Sequence, residues 1–168
     1  MGYTPAPSGE YDKGKYGFPF TNTLSLCGGM SFGSRDYFVA GKPVPPQPPS
    51  TPTTPDQRNR QRDKLKSFLT LRQAESLAGD TLRKMTSCMV STEIAKKETN
   101  DSFKILSASI NAKNPMGLFL LQDLVIAWKN HQVLAYKVNK APGDKVYNIY
   151  TYDPNSSRTS NTIITVHL

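Results

Sequence analysis

The sequence predicts an α+β domain, with helices in its first two thirds and an antiparallel sheet in its last third. Apolar residues recur at three- and four-residue spacings from Cys27 to about Ala112, which is the period of one helical face. Asn114-Pro115 then ends the helical pattern, and short β-branched or aromatic runs alternate with turn residues. A chain of 168 residues fits one domain with its own core. Helices followed by strands in this order indicate the α+β class.

Two segments differ in character from this domain. Residues 1–18 are polar, rich in Gly and Tyr, and show no hydrophobic period. We expect a flexible N-terminal arm or a junction there, and the folded domain at 19–168. Residues 43–55 are rich in proline, which makes a chain stiff and extended. We expect a connection laid across the surface, with a recognition ligand for a partner as the alternative.

The helices and strands follow in order along the chain. A first helix is predicted from Cys27, and Gly41 and Pro43 lie past its end. A second is predicted after a Thr54 cap, with Pro55 at its first position. Further helices are predicted at Thr81–Met89, at Thr92–Lys97 and after a cap at Asn100-Asp101-Ser102. Strands are predicted at 117–121, 131–138, 145–152 and 162–168.

Cys27 is predicted to lie at the N-terminus of the first helix. Such an end carries about half a positive charge and unpaired N–H groups, which favour a thiolate and can hold an oxyanion. Gly28 and Gly29 are poor helix formers, and their lack of side chains would let a substrate approach the first turn closely. Cys27 therefore suits a nucleophile, and a small buried cysteine is the alternative.

Two further groups are predicted to join Cys27. If Val138 pairs with Lys145 across the turn, His131 lies opposite Tyr152, and a loop shorter by one residue sets it opposite Asp153. A carboxylate beside an imidazole fixes its tautomer and holds it towards a sulfur. We therefore expect His131 and Asp153 to be neighbours, with a structural histidine and a turn aspartate as the alternatives.

Two asparagines are further candidates for the same site. Asn22 precedes the cysteine by five residues and could donate an amide N–H to the oxyanion, although a turn or cap asparagine is the alternative. Asn155 is an alternative third member in place of Asp153.

The remaining composition limits the cofactors and partners that we expect. Neither Cys27 nor Cys88 has a second Cys or His at ligand spacing, so no metal or other cofactor is expected, and we expect no disulfide. The formal charge is +8, much of it at Arg58–Lys66. This run reads as the wet face of a helix, and nucleic acid is not expected because no aromatic residues interleave the charges. We also expect neither a membrane span nor a signal peptide.

The sequence resembles a papain-like group of bacterial proteins. That group has a CGGM…DYF…G-[KR]-P-[IV]-P-P block, followed by NHQVLAY and YDPN blocks. The matching residues of this chain, in the same order, are Cys27–Met30, Asp36–Phe38, Gly41–Pro46, Asn130–Tyr136 and Tyr152–Asn155. Any one of these blocks alone is a weak signal, and their joint occurrence is specific. They bracket most of the chain.

The resemblance implies the papain-like fold and a catalytic triad. Cys27, His131 and Asp153 are the positions that carry over, with the nucleophile on the first long helix. Gly28, Gly29 and Asn130, inside these blocks, are expected to line the substrate groove. Papain-like enzymes usually have an oxyanion-binding Gln shortly before the cysteine, and this chain has none there, so Asn22 would replace it.

The expected function is a cysteine peptidase that cleaves an amide bond in a protein substrate. Peptidoglycan amidase, protein deamidase or acyltransferase activity uses the same machinery, and a non-catalytic binding module is an alternative of another class. The resemblance also points to an antibacterial toxin that a secretion system delivers into target cells. The producing cell would then need an immunity protein, expected to be acidic because the chain is basic.

Overall fold

The computed structural model describes residues 9–22, 25–45, 55–122 and 130–168. Helices precede strands along the chain, so the α+β prediction is confirmed. The helices are α1 (Lys13–Tyr16), α2 (Cys27–Val39), α3 (Pro55–Ser76), α4 (Asp80–Val90) and α5 (Thr92–Asn111). The strands are β1 (Met116–Leu120), β2 (His131–Lys140), β3 (Val146–Tyr152) and β4 (Thr162–His167).

The four strands form one antiparallel sheet in the order β1-β2-β3-β4, and each strand pairs with the next one in the chain. Core residues of two clusters cover this sheet. One cluster joins α2 to Leu134 and Tyr152, and the other joins Leu106 of α5 to Ala135 and Ile149. The sheet is therefore held between α2 and α5, and the N-terminus of α2 lies against β2.

Helix α2 is fixed by close packing on α3. A Cβ at Gly29 would overlap the backbone carbonyl of Leu69, and one at Gly33 would lie 3.1 Å from Phe68. Farther along α2, Arg72 of α3 pairs with Asp36 at 2.7 Å. The small residues allow the two helices to approach, and the ion pair sets where α3 crosses α2.

The two short helices predicted at Thr92–Lys97 and after Asn100 are wrong, because α5 is continuous from Thr92 to Asn111. The residues predicted as a cap lie in the middle of this helix. Asp101 pairs there with Lys97 at 2.7 Å and with Lys104 at 3.3 Å. Its side chain serves ion pairs one turn away on the helix surface rather than a backbone N–H.

Residues 9–18 differ from the flexible arm that we expected. Tyr11, Tyr16 and Phe18 are buried in the core with α2, and the Tyr11 hydroxyl contacts Ser34 Oγ at 2.5 Å. The Phe18 N–H donates to the Tyr152 hydroxyl at 3.1 Å. The tyrosines read as polar without a period, yet their rings supply apolar area to the core. The domain therefore includes these residues.

Several expectations concern residues outside the described ranges. Residues 1–8 of the arm, the Thr54 cap and residues 46–54 of the proline-rich connection lie there. Both cysteines are free, as predicted. Among the helices of the described ranges, none has both the length and the apolar character to span a membrane.

Candidate functional site

Cys27 is the first residue of α2, as predicted, and it is partly exposed. Leu26 is the N-cap residue, and its N–H donates to Asn22 Oδ1 at 2.7 Å. The first turn contains no acidic residue. The positive end of the helix dipole therefore acts on the sulfur without an opposing carboxylate in the same turn.

His131 is the first residue of β2 and lies between Cys27 and Asp153. Its Nε2 lies 2.6 Å from Asp153 Oδ1, and the ring also interacts with the Cys27 side chain. Because Nε2 faces the carboxylate, Nδ1 is the ring nitrogen left for the sulfur. The structure thus brings together Cys27, His131 and Asp153 from a helix, a strand and a turn.

The register of β2 on β3 differs from the predicted one. Val138 pairs with Ile149 rather than with Lys145, because β2 continues to Lys140 and the turn lies two residues farther along the chain than expected. Beyond a bulge, Leu134 pairs with Tyr152. The predicted contact is therefore present, although the turn counting from which we expected it is wrong.

The bulge at Tyr136 places Asp153 on the same face of the sheet as His131. Continuing the register by one residue sets Asp153 opposite Val133, two positions from His131, and side chains two positions apart share a face. Such diagonal neighbours are within reach of long side chains. Without the extra residue, Asp153 would stand opposite Leu134 and point to the other face.

The electrostatics favour a thiolate paired with an imidazolium. Burial alone would raise the pKa of Cys27, but the hydrogen bond from His131, the Gln132 N–H and the nearby imidazole lower it below its ordinary value. The hydrogen bonds of His131 to Asp153 and Cys27 raise its pKa to about 9, against the opposing effect of burial. The two groups stabilise each other's charged form.

Asp153 accepts a second hydrogen bond that keeps it ionised. Burial would raise its pKa, but the hydrogen bonds from His131 and from the Asn155 N–H, at 2.8 Å, lower the pKa below its usual value. Asn155 itself is exposed, and its side-chain oxygen accepts from Asn22 at 3.1 Å. Of the two candidates for the third position, Asp153 is the one that contacts the imidazole.

Asn22 joins the helix of Cys27 to the turn of Asp153. Its side-chain oxygen accepts the N–H of Leu26, the residue before α2, its side-chain nitrogen donates to Asn155, and its backbone N–H donates to the Pro154 carbonyl at 2.7 Å. Its role in an oxyanion hole stays a prediction. Asn130 accepts from the Gln122 N–H at 2.9 Å, and its place in a substrate groove also stays a prediction.

The predicted groove role of Gly28 and Gly29 requires correction. Both glycines are buried, and a side chain at either position would overlap other residues of the protein. A Cβ at Gly28 would overlap the side chain of Gln132, and one at Gly29 would overlap the carbonyl of Leu69. The glycines thus admit β2 and α3 rather than a substrate.

Three polar residues near Cys27 were not singled out from the sequence. Gln73 Oε1 accepts the Gly29 N–H at 2.9 Å, and Ser76 Oγ contacts Gln132 Oε1 at 2.8 Å. Only Gln132 carried a usable signal, because it follows His131 in the strand and must point to the opposite face. A glutamine and a serine on a polar helix read as exposed.

The site as described is a thiol–imidazole–carboxylate line. Within the described ranges, no three Cys, His, Asp or Glu side chains cluster as metal ligands would. Comparisons with protein-family models, with curated proteins and with solved structures gave no match for the chain. The chemistry of the site is therefore argued from its own geometry.

Proposed function

We propose that the chain is a papain-like cysteine peptidase that cleaves an amide bond in a protein substrate. Cys27 is the nucleophile, His131 the general base and acid, and Asp153 the residue that orients the imidazole. The observation that carries this proposal is the 2.6 Å contact from His131 Nε2 to Asp153 in a ring that also hydrogen-bonds Cys27. A structural histidine would need one of these contacts and not both.

The reaction uses each of these groups in turn. The Cys27 thiolate attacks the amide carbonyl carbon, and the C=O electron pair moves to the oxygen. The N–H groups of Cys27 and Gly28 lack carbonyl acceptors inside the helix and are available to this negative charge, whereas the Gly29 N–H donates to Gln73. The His131 imidazolium gives its proton to the leaving amine, the C–N bond breaks, and a thioester remains. His131 then takes a proton from water, which attacks the thioester and releases the thiolate.

The experiment that tests this function compares the wild type with Cys27→Ala and Cys88→Ala. Each protein is incubated with bacterial lysate and with purified sacculi, and the products are analysed by mass spectrometry. We expect new protein fragments with the wild type and with Cys88→Ala, and none with Cys27→Ala. Released muropeptides would instead indicate an amidase, and a gain of about one dalton on a protein Gln would indicate a deamidase.

Two results would contradict the enzymatic proposal. One is activity that survives in Cys27→Ala. The other is that no substrate changes while the same partner co-purifies with the wild type and with Cys27→Ala. That result would favour a binding module.

We further propose that this peptidase acts as an antibacterial toxin. The support is the resemblance to domains that competing bacteria deliver, together with the charge of +8. Expression of the wild type inside bacteria should arrest growth, whereas Cys27→Ala should be harmless. An acidic immunity protein over the Cys27–His131 cleft would rescue growth and bind faster at low salt. Normal growth with soluble, active enzyme would refute the toxin while leaving the peptidase.

A further inference from the structure

Three neutral polar side chains lie directly behind the first turn of α2. Gln73 of α3 accepts the Gly29 N–H through Oε1 at 2.9 Å. Ser76, one turn farther along α3, has its Oγ 2.7 Å from the Gln73 backbone carbonyl and 2.8 Å from Gln132 Oε1. These contacts run from α3 to β2 past the turn that carries Cys27.

Two of these three side chains are buried, and Gln73 is half-buried. Ser76 is 2% exposed and Gln132 is 3% exposed. Gln132 Nε2 is buried and has no hydrogen-bond partner in the described part of the chain. A Cβ at Gly28 would overlap both side chains, so the cluster touches the helix backbone. Burying amides and hydroxyls in this way costs free energy that an apolar filling would not.

The glutamine at position 73 is less favourable for the helix than a glutamate would be. A carboxylate of nearly the same shape would accept the Gly29 N–H and also interact with the helix dipole. It would, however, place a negative charge within one turn of the Cys27 sulfur, where like charges disfavour the thiolate. The neutral amide supplies the acceptor without this charge.

The charged groups around Cys27 fit the same pattern. His131 from β2 contacts the sulfur, and Asp153 lies behind the imidazole. On α3, Arg72 and Glu75 flank Gln73 in sequence, and Arg72 pairs both with Glu75 and with Asp36 farther along α2. Of these carboxylates, Asp153 contacts the imidazole, and Asp36 and Glu75 are both paired with Arg72.

We propose that Gln73 is a positioning residue, which fixes the first turn of α2 through Gly29 while keeping negative charge away from the Cys27 thiolate. Ser76 and Gln132 tie this part of α3 to the strand that carries His131. The inference rests on the proposed function only in treating the Cys27 thiolate as the reacting group.

The test measures the alkylation rate of Cys27 by iodoacetamide as a function of pH, with Cys88 of the same molecule as the internal reference. In Gln73→Glu the midpoint for Cys27 should rise by about one pH unit, so that its rate at a pH below both midpoints falls about tenfold. Gln73→Lys carries the opposite charge, and its midpoint should fall or stay low. Gln73→Met should keep a low midpoint while exchanging the Gly29 amide hydrogen faster.

The matched control is Gln57→Glu. It makes the same change in charge on the same helix, about 24 Å from Gln73 at the rise of an α-helix, and should leave the Cys27 profile unchanged. A midpoint that rises equally in Gln73→Glu and Gln73→Lys would show mere disruption of the turn and would overturn the proposal. So would an unchanged midpoint in Gln73→Glu.

The same data separate this inference from the proposed function. A wild-type Cys27 that titrates no lower than Cys88 would refute the thiolate–imidazolium pair itself. A low wild-type midpoint that none of the Gln73 substitutions moves would refute only the role of Gln73. If Gln73→Glu does not fold, the Lys and Met variants still decide: a midpoint that rises in Gln73→Lys, or a Gly29 amide hydrogen that exchanges no faster in Gln73→Met, would overturn the proposal.

Discussion

The turn that carries Cys27 and the helix that carries Cys88 give two partly exposed thiols opposite properties. Cys27 begins α2 beside an imidazole, whereas Cys88 lies near the end of α4. Burial together with Glu98 raises the pKa of Cys88, and Lys84 offsets this only in part, whereas the contacts of Cys27 lower its pKa. Position on a helix and a cationic neighbour decide the reactivity of a thiol, more than exposure does.

The packing of the two regions differs in the same sense. The first turn of α2 is enclosed by α3 and β2 so closely that its glycines admit no side chain. Helix α4 packs mainly on α5 and leaves Leu82 and Val90 exposed at 52% and 80%. The region with the reactive thiol is thus the one with the least freedom to adapt, as a site of fixed geometry requires.

The largest effect should come from adding one methyl group to the enclosed turn. Gly29→Ala should lower the free energy of unfolding by about 3 kcal/mol or more, because its Cβ overlaps the backbone of α3. Gly9→Ala is the control, since nothing lies within 4 Å of a Cβ there. Urea unfolding followed by circular dichroism measures both. Equal free energies of unfolding for the two variants would contradict the close packing at Gly29.

Removing the imidazole should make the two thiols alike. In His131→Ala the pKa of Cys27 should rise, because the hydrogen bond and charge that oppose burial are gone. Its alkylation rate at pH 6 should fall about tenfold or more, towards that of Cys88. Mass spectrometry of the two cysteine peptides measures both rates in one sample. If the alkylation rate of Cys27 stays high in this variant, its reactivity comes from the helix N-terminus alone.

A smaller change should follow from neutralising the orienting carboxylate. In Asp153→Asn the pKa of His131 should fall from about 9 by at least about one unit, because its largest stabilising contact is weakened. Proton NMR of the imidazole measures this shift, and His167 on β4 provides the reference resonance. Peptidase activity should be reduced rather than abolished, since an amide can still orient the ring. An unmoved His131 pKa would contradict the contact.

The smallest effect should be on the pH dependence of stability. The pKa of His131 is about 9 in the folded chain and about 6.5 when unfolded, so its contribution is complete below pH 6.5 and is lost as pH rises through 9. A shift of this size corresponds to at most about 3 kcal/mol, and the lowered pKa of Cys27, which adds stability as pH rises, offsets part of this loss. His131→Ala should lose less, and Cys88→Ala should follow the wild type. Urea unfolding at each pH measures the slopes.

The sequence predicted the helix start at Cys27, because the end of a helix depends on local signals. The His131–Asp153 contact was also expected, but from a turn count that the register of β2 on β3 contradicts. Local signals also misled us, since Asn100-Asp101-Ser102 has the composition of a cap and lies inside α5.

What could not be predicted depends on packing between distant segments. Gln73 and Gly29 are 44 positions apart, and nothing in either residue type indicates the other. The tyrosines of residues 9–18 become core residues only because α2 offers them a surface. The glycines were detected for the wrong reason, since the approach that they allow is that of α3 and β2.

The single extra residue at Tyr136 shifts the pairing of β2 with β3 by one position. The residues of β2 before it, including His131 and Gln132, therefore face the opposite sides of the sheet from those that an unbroken register would give them relative to β3. Deleting Tyr136 would exchange the two faces, so that Gln132 instead of His131 would lie on the face of the sheet that carries Asp153. Changes of length in the turn at 141–145 do not alter which residues of β2 share a face with Asp153. The turn can therefore vary in length, whereas β2 cannot lose one residue.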